Sequence, residues 1–437
     1  MTIPPSAVSV ILIGMILTAM TSPGPANAQS TGTAAKAWRA DPAIVAKLSQ
    51  KRSEFNYDES KVPKYSIPDP LVMQNGDPVT SADQWFDQRR PELLDSFRKL
   101  VYGQRPDTQY SLSFATVSEA TILDGTAIGK TITATLQIDD HTFSFPFVLF
   151  TPTNAGNDLP AVILINNRSF PSVDEVNSKY DSFFPVKDLI DRGYAAAAFF
   201  TSDVDPDRAD GFADGIRGFF AQGKPLADDA WRSLSAWGFA ASRVLDYLER
   251  LPEIDSSRVA VVGHSRGGKT SLWAAAEDPR FAVAYSNHSG CGGAALSRRA
   301  FGETVDRITS AFPHWFSPNF AKYAGRENEL PIDQHELFSL IAPRPVYVAS
   351  ADEDLWADPR GEYLSLVLSA PVYQLLGKRS IGDEVIADSD LTNSAYPPPL
   401  DHPVIVGQTG YHIGSGGHGL THVDWKNFLD FFGRLPK

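Results

Sequence analysis

One stretch of the chain, residues 258–276, constrains the fold more than any other. A β-branched apolar run ends at Val262, Gly263-His-Ser265-Arg-Gly267 follows, and an apolar segment of helical character comes next. The pattern G-x-S-x-G between a strand and a helix predicts a nucleophile elbow, a turn so sharp that the serine is pushed outward. The neighbours of such a strained residue must lack a Cβ, which accounts for the two glycines. Ser265 is therefore the predicted nucleophile, and the start of the following helix is expected to face a developing oxyanion.

Short apolar runs that alternate with helical stretches predict the fold around this elbow. Such runs are typical of parallel strands that are buried on both faces and covered by helices. Other runs alternate polar and apolar residues, which predicts antiparallel strands at one edge of the sheet. We therefore expect an α/β-hydrolase fold, a three-layer sandwich with a mostly parallel central sheet and antiparallel edge strands. The predicted buried strands are 161–165, 195–200, 259–262, 282–285 and 345–349, the edge strands are 110–117, 131–137 and 142–150, and the longest predicted helix is 229–250.

The beginning of the chain resembles an export signal over residues 1–28. An apolar core at 8–19 precedes a small-x-small site that ends at Ala28, although no Lys or Arg comes before the core. An uncleaved anchor is the alternative, but the apolar run is short for a membrane span. We therefore expect an exported protein, periplasmic or secreted, with no membrane contact after the signal is removed.

The rest of the chain is predicted to form an arm and one domain. Residues 29–64 read as an N-terminal arm or linker, and residues 65–437 as a single α/β-hydrolase catalytic domain. Irregular insertions near 203–224 and 381–408 are rich in Gly, Asp and Pro, and such insertions often form the walls of a site.

Charge and cysteine content exclude several classes of function. The formal net charge is −13, which argues against nucleic acid or an anionic membrane as the main partner. Cys291 is the only cysteine, so an intramolecular disulfide is impossible, and its apolar neighbourhood favours a buried small side chain. The sequence contains no H-E-x-x-H motif and no cysteine pair with metal spacing. We expect no metal, no organic cofactor and a monomer.

A serine nucleophile needs a base and an oriented acid, and in this fold the chain order is Ser, then Asp or Glu, then His. The loop after the strand 345–349 supplies the acid, because a carboxylate just past that strand lies at the same sheet edge as the elbow. Asp354 is the predicted acid. Asp352 and Asp358 are rivals that read more readily as a solvated loop acid or a helix cap.

The base is expected in the segment after a strand-like run at 404–406. His418 is flanked by glycines shortly before the final amphipathic helix, predicted at 425–432, which suits a mobile yet oriented imidazole. His412 and His422 read instead as packed or helix-capping histidines. His418 is the predicted base.

Several sequence blocks occur in a fixed order along the chain from about Tyr65 onward. They are residues 263–270, 286–299, 301–304, 312–316 and the Asp-Glu-Asp-Leu-Trp loop at 352–356. Together these blocks resemble the bacterial glucuronoyl esterases, carbohydrate esterase family 15. The resemblance implies an α/β-hydrolase that cleaves the ester between a glucuronic acid branch of xylan and an alcohol of lignin.

The resemblance also implies roles for individual residues. Ser265 corresponds to the nucleophile, and Arg266 to a group that stabilises the oxyanion. Lys269 and Glu303 correspond to ligands of the sugar hydroxyls, and Trp356 would line the uronate pocket. The residues alone leave other readings open: Arg266 could pair with a nearby carboxylate, Lys269 with Glu303 could be a structural ion pair, and Trp356 could be core.

Asp354 and His418 complete a triad of the kind found in many bacterial members of the family. Fungal members instead take their acid from the position immediately before a Ser-Gly-x-Gly-Gly block, which here spans 289–293. In this chain that position is His288. The resemblance therefore leaves Asp354 as the acid and assigns no role to His288.

The sequence thus favours a serine esterase that hydrolyses glucuronoyl (4-O-methyl-glucuronate) esters linking xylan to lignin alcohols, through an acyl-enzyme. An acetyl-xylan esterase or general carboxylesterase on the same fold is a second reading. A catalytically silent carbohydrate-binding protein is a third reading, against which the set of Ser265, Asp354 and His418 speaks.

Overall fold

The computed structural model of the chain describes Met1 and residues 36–154, 156–384 and 394–435. The predicted export signal therefore lies outside the described residues except for Met1, as does the 385–393 part of the second predicted insertion. Lys36–Lys437 is one compact unit. Within the described ranges, no helix has the length and apolar character needed to cross a bilayer.

Ten strands form one sheet. They are β1 (Ser111–Ile122), β2 (Ala127–Ile138), β3 (His141–Pro152), β4 (Leu159–Asn166), β5 (Ala195–Phe200), β6 (Ile254–His264), β7 (Val283–Asn287), β8 (Val346–Ala351), β9 (Val404–Val406) and β10 (Thr409–Gly414). Their spatial order is β1-β2-β3-β5-β4-β6-β7-β8-β10-β9. The six strands from β5 to β10 in that order pair in parallel, whereas β1, β2, β3 and β9 pair antiparallel at the two edges. The predicted fold class is confirmed.

Helices cover both faces of the sheet. The longest is Ser233–Leu248, and the helix after the elbow is Arg266–Glu277. The other α-helices are Pro42–Lys51, Ala82–Gln84, Arg90–Phe97, Val173–Ser178, Val186–Asp191, Thr201–Val204, Ile216–Ala221, Val305–Ala311, Pro318–Ala321, Gln334–Ile341, Pro359–Leu368, Ala370–Leu375 and His422–Phe432. Short 3-10 turns occur at Glu59–Lys61, Gly211–Asp214, Ser297–Arg299, Glu327–Glu329, Leu355–Ala357 and Ile381–Glu384, and π-helical turns at Trp85–Arg89 and Arg98–Tyr102.

The two sides of the central strands face two separate cores. In β4, Ala161, Ile163 and Ile165 belong to the core beneath the longest helix, while Val162 and Leu164 belong to the core beneath the final helix. Successive side chains of a strand point to opposite faces, so a strand that is apolar at every position needs cover on both. This packing explains why continuous apolar runs predicted the parallel strands.

The helical run from residue 82 to residue 102 passes through Pro91 without a break. A proline inside a helix lacks an N–H and clashes with the preceding turn, so it commonly ends or kinks a helix. The chain instead continues as helix, with the π-helical turn Trp85–Arg89 immediately before Arg90–Phe97. The wider π turn accommodates the ring without ending the helix.

The segment before residue 65 packs on the rest of the unit. Its helix Pro42–Lys51 contributes Ile44, Val45 and Leu48 to a small apolar cluster that also contains Phe301. The Glu59 carboxylate accepts hydrogen bonds from the guanidinium groups of Arg299 and Arg360, at 2.6 and 2.7 Å. These contacts place the segment beside the loop that follows β8.

Candidate active site

The turn after β6 has the geometry of a nucleophile elbow. Ser265 lies between β6 and the helix Arg266–Glu277 with φ 57° and ψ −122°, a conformation that is strained for a residue with a side chain. A Cβ at Gly263 would overlap the carbonyl of Gly267, and a Cβ at Gly267 would lie 2.8 Å from the Ile165 oxygen. Both glycines are therefore required by close backbone approach, and the backbone N–H groups that begin the helix lie next to the serine.

Asp354 and His418 come together at the same edge of the sheet. Asp354 follows β8 and His418 follows β10, and the carboxyl ends of parallel strands meet at one edge. His418 Nδ1 lies 2.6 Å from Asp354 Oδ2. The His418 side chain is 42% exposed and that of Asp354 only 6%. The ring nitrogen that Asp354 does not occupy, Nε2, is the one left for proton transfer.

The electrostatic environment keeps Asp354 ionised. Burial raises the pKa of this carboxyl, but the nearby His288 imidazole and the hydrogen bond from His418 outweigh burial and hold the pKa well below its usual value. The His264 ring packs against the His418 ring, with centroids 4.5 Å apart. Burial lowers the pKa of His264 well below its usual value, which disfavours a second positive charge beside His418. An ionised carboxylate can thus orient and stabilise a protonated His418.

The rival acids have other contacts. Asp352 Oδ1 accepts from the backbone N–H of Gly416 at 2.8 Å, which ties the histidine loop to the acid loop. Asp358 caps the helix Pro359–Leu368 through the N–H of Gly361 and also accepts from Nε of Arg299 at 2.8 Å. Both carboxylates therefore make structural contacts, as expected for a loop acid and a helix cap.

The other two histidines of the C-terminal segment do not line the cavity of the site. His412 is buried in β10, where Nε2 lies 2.9 Å from Asp424 Oδ1 and Nδ1 lies 3.0 Å from the Tyr347 hydroxyl. His422 is exposed and begins the final helix. Both positions agree with packed and helix-terminal histidines.

Arg266 lies at the cavity and has a carboxylate partner. Its Nη1 donates to Asp207 Oδ2, and its guanidinium carbon lies 4.9 Å from the centre of the Trp315 ring. Its buried Nε has no hydrogen-bond partner among the described residues. Asp207 also accepts from Trp315 Nε1 at 2.7 Å and pairs with His314 Nε2 at 2.8 Å. The pairing with a carboxylate that the sequence left open is therefore present, and it holds the guanidinium beside the serine.

Lys269 and Glu303 lie in contact beneath the cavity. The Lys269 ammonium is 3.7 Å from Glu303 Oε2 and donates to the backbone carbonyls of Ser289 and Cys291, the latter at 2.7 Å. Burial raises the pKa of Glu303, and the charge of Lys269 together with a hydrogen bond from Trp356 opposes that rise. The pair presents a cation and an anion side by side, which suits recognition of sugar hydroxyls as donors and acceptors.

Trp356 is held from behind by the N-terminal segment. The Phe55 ring meets it edge-on with centroids 4.7 Å apart, and the Arg52 guanidinium carbon lies 4.5 Å from its ring centre. Trp356 is partly exposed and lines the cavity. It belongs to the site as well as to a small apolar cluster.

A cavity of about 180 Å³ brings the predicted residues together. Ser265, Arg266, Lys269, Glu303, Trp356 and His418 all line it. Asp354 lies behind His418 and completes the set. A larger cavity of about 300 Å³ under residues 166–187 contains none of these side chains. The arrangement of a serine, a histidine–aspartate pair and a guanidinium around the smaller cavity is suited to acyl transfer.

His288 also lines the cavity, from the position directly after β7. Its Nδ1 is 3.4 Å from Asp354 Oδ2, so His288, Asp354 and His418 each offer one atom to a group spanning at most 4.8 Å. Among the described residues, this is the cluster that could hold a metal ion.

Sequence reasoning did not find Asp207 or His314 as parts of the site. Asp207 lies within the predicted insertion at 203–224, and His314 lies within one of the family-like blocks, but neither has a local pattern that indicates its partner. The one usable signal was the expectation that insertions form site walls.

Comparisons with known proteins find matches over most of the chain. The family model described as glucuronyl esterase, fungi, matches residues 134–377. A curated relative, carbohydrate esterase MZ0003 from an unknown prokaryotic organism, is 38% identical over 90% of this chain and 94% of its own length. The 4-O-methyl-glucuronoyl methylesterase 1 of Wolfiporia cocos is 31% identical over 73% of this chain and 74% of its own.

Two solved structures are similar over nearly their whole length. The glucuronoyl esterase from Solibacter usitatus has a TM-score of 0.77 at 35% identity, covering 86% of this chain and 99% of its own. A promiscuous CE15 esterase from a marine bacterial metagenome has a TM-score of 0.74 at 36% identity, covering 87% of this chain and 99% of its own.

Proposed function

This chain belongs to the glucuronoyl esterases of carbohydrate esterase family 15, and from that membership we propose that it is a serine esterase acting on glucuronoyl esters. The proposed substrate is the ester between a 4-O-methyl-glucuronate branch of xylan and an alcohol of lignin. One observation carries the proposal: His418 is hydrogen-bonded to Asp354 at 2.6 Å and lines the same cavity as the strained Ser265.

In the proposed first half of the reaction, the Ser265 hydroxyl gives its proton to Nε2 of His418 while its oxygen bonds to the ester carbonyl carbon. The charge that develops on the carbonyl oxygen is stabilised by the N–H groups at the helix start and by the Arg266 guanidinium. The bond to the alcohol oxygen then breaks, and the alcohol leaves with the proton from His418. Asp354 stabilises the imidazolium between these two transfers.

In the second half, water gives a proton to His418 and its oxygen bonds to the acyl carbon. The bond to Ser265 breaks, the serine recovers its proton from His418, and glucuronic acid is released. The ester carbonyl is uncharged until attack, so a guanidinium aimed at its oxygen stabilises the transition state more than the ground state.

Lys269, Glu303 and Trp356 supply the proposed specificity for the uronate. The buried ion pair offers both a donor and an acceptor to hydroxyl groups, and the indole offers a flat apolar face. A simple acetyl ester has no hydroxyls to engage the pair, so these contacts favour a sugar ester.

A general carboxylesterase on the same site is the second candidate. The observation that favours it is the similarity to the metagenomic enzyme, which is described as promiscuous. A silent carbohydrate-binding protein is disfavoured, because the described triad residues occupy one site. We also infer that the protein is exported and monomeric; N-terminal sequencing and sedimentation of the protein from its native host test these two points.

The experiment that tests the proposal compares two substrates and two serine variants. The wild type is expected to hydrolyse benzyl glucuronate with a higher kcat/KM than 4-nitrophenyl acetate. Ser265→Ala is expected to abolish turnover of both esters. The matched control is Ser257→Ala, which changes an exposed serine in β6 away from the site and is expected to retain turnover. Acetate turnover without glucuronate turnover indicates the second candidate, and glucuronate turnover by Ser265→Ala rejects the serine mechanism.

A further inference from the structure

His288 occupies a strained position in the molecule. It follows β7 directly, and its φ of +47° lies in the left-handed region that disfavours a side chain. Its N–H donates to the carbonyl of Ala349 in β8 at 2.8 Å, which extends the pairing of β7 with β8 past the strand end. The side chain is 3% exposed. The backbone thus directs a buried imidazole to the edge of the sheet where the triad lies.

The imidazole of His288 points at the catalytic acid. Nδ1 of His288 is 3.4 Å from Asp354 Oδ2, and Nδ1 of His418 is 2.6 Å from the same oxygen. Among the described residues His288 Nδ1 makes no hydrogen bond, and Asp354 Oδ2 is the acceptor that it approaches. One carboxylate oxygen therefore faces two imidazole nitrogens, one at hydrogen-bond distance and one slightly beyond it.

Sharing the oxygen has a direct consequence for His418. A carboxylate stabilises an imidazolium through the negative charge on the oxygen it presents, and a second N–H directed at that oxygen reduces the charge available. If His288 is neutral it acts as this second donor, and if it is protonated it also repels the His418 cation. Both states disfavour protonation of His418, so the direction of the effect does not depend on the charge of His288.

We propose that His288 is a positioning residue of the esterase site: it shares Asp354 Oδ2 with His418, holds that carboxylate at the sheet edge, and extends the activity of the base to lower pH. The proposal rests on the serine esterase mechanism proposed above. The proposal gives a role to His288, which occupies the position where fungal members are expected to have their catalytic acid.

The charged surroundings of His288 agree with this role. Burial lowers the pKa of His288, but the contact with Asp354 and the charges of Asp424 and Glu362 reverse that effect and raise the pKa overall. The titratable and charged groups around the two imidazoles come from every neighbouring element: His264 at the end of β6, Arg266 and Lys269 on the elbow helix, Asp354 after β8, Glu362 on Pro359–Leu368 and Asp424 on the final helix.

The test is the pH dependence of kcat/KM in His288→Gln. Without the second imidazole, Asp354 interacts with His418 alone and stabilises its protonated form more strongly. The acid limb, the fall of kcat/KM at low pH, is therefore expected to move to higher pH by about one unit. His335→Gln is the matched control, because His335 is a buried histidine that contacts the Pro68 carbonyl rather than the triad. An acid limb in His288→Gln that coincides with that of the wild type overturns the proposal, whereas a structural role alone would lower stability without moving the limb.

The readout is independent of the substrate. The acid limb of kcat/KM is measured with whichever ester the wild type hydrolyses. Failure to cleave benzyl glucuronate rejects the proposed function, and the role of His288 is then decided by hydrolysis of 4-nitrophenyl acetate. For a variant that does not fold, NMR titration of the histidine rings in Ser265→Ala gives the answer. Coupled titration of His288 and His418 supports the shared carboxylate, and independent titration of the two rings overturns it.

Discussion

Two histidines that lie close together in the chain each pair with an aspartate, His418 with Asp354 and His412 with Asp424. The nitrogen–oxygen distances are similar, 2.6 and 2.9 Å, but the side chain of His418 is 42% exposed and that of His412 is 1% exposed. In the buried pair both ring nitrogens of His412 have protein partners, because Nδ1 also meets the Tyr347 hydroxyl. The same residue types can therefore form either a buried cross-link or a base with one nitrogen left for substrate.

The flanking chain accounts for the difference. His412 is part of β10, so its side chain is fixed by the alternation of the strand and points into the core. His418 lies in a glycine-rich loop held to the acid loop by the Gly416 N–H to Asp352 bond. A rigid strand gives a histidine a structural partner, whereas a tethered loop presents one to a cavity.

The largest expected contrast is between His418→Gln and His412→Gln. Removing the predicted base is expected to lower kcat by about 10⁶-fold, by analogy with other serine hydrolases. His412→Gln is expected to keep kcat within a few-fold, but it leaves the buried Asp424 poorly paired, so the free energy of unfolding falls by about 3 kcal/mol. Steady-state kinetics and urea unfolding of both variants measure the two effects. Loss of activity of the same size in His412→Gln at unchanged stability would contradict the division of roles.

The sequence could predict the sheet and the elbow because local patterns determine both. Continuous apolar runs such as 161–165 need two covered faces, and Gly263 and Gly267 are required by backbone contacts within one turn. β10 was not predicted as a strand, because Thr-Gly-Tyr-His-Ile-Gly has two glycines and no clear alternation; its pairing with β8 and β9 makes it one. The final helix begins at His422 rather than at 425, since Thr421 and Asp424 form a capping box.

Contacts that span long stretches of chain were beyond local reasoning. The partner of Arg266 was left open because Asp207 lies 59 residues earlier, in an irregular insertion. The contacts of Trp356 with Arg52 and Phe55 could not be predicted, since they depend on how the N-terminal segment packs. The order Ser, Asp, His did predict which residues gather at one edge, because the fold fixes that edge; the catalytic roles themselves remain predictions.

The next contrast exchanges each acid for its amide. Asp354→Asn is expected to lower kcat by about 10⁴-fold, because an amide favours the wrong orientation and tautomer of the His418 ring and does not stabilise the imidazolium. Asp424→Asn is expected to keep esterase activity and to lower the melting temperature, since its carboxylate also caps the final helix through Thr421. Comparing kcat and thermal unfolding for the two variants checks this. Equal losses of kcat would mean that the exposed pair has no special part in the reaction.

The smallest expected effect is a difference between the two histidine–aspartate pairs in how the free energy of unfolding depends on pH. Burial raises the pKa of Asp424, but its bonds with His412 and Thr421 outweigh burial and lower the pKa overall, and Asp354 is held lower still by two imidazoles. Because each folded pKa lies below the unfolded value near 4, ionisation stabilises the protein above about pH 4, and that contribution is lost as pH falls through the folded pKa. The test is urea unfolding of wild type and Asp424→Asn from pH 6 to pH 3. The difference between their free energies of unfolding is expected to shrink as the pH falls, by about 1.4 kcal/mol for each unit by which folding lowers the pKa of Asp424. Asp354→Asn should keep a larger part of its difference from wild type at pH 3 than Asp424→Asn does, and the reverse order would contradict the lower pKa of Asp354.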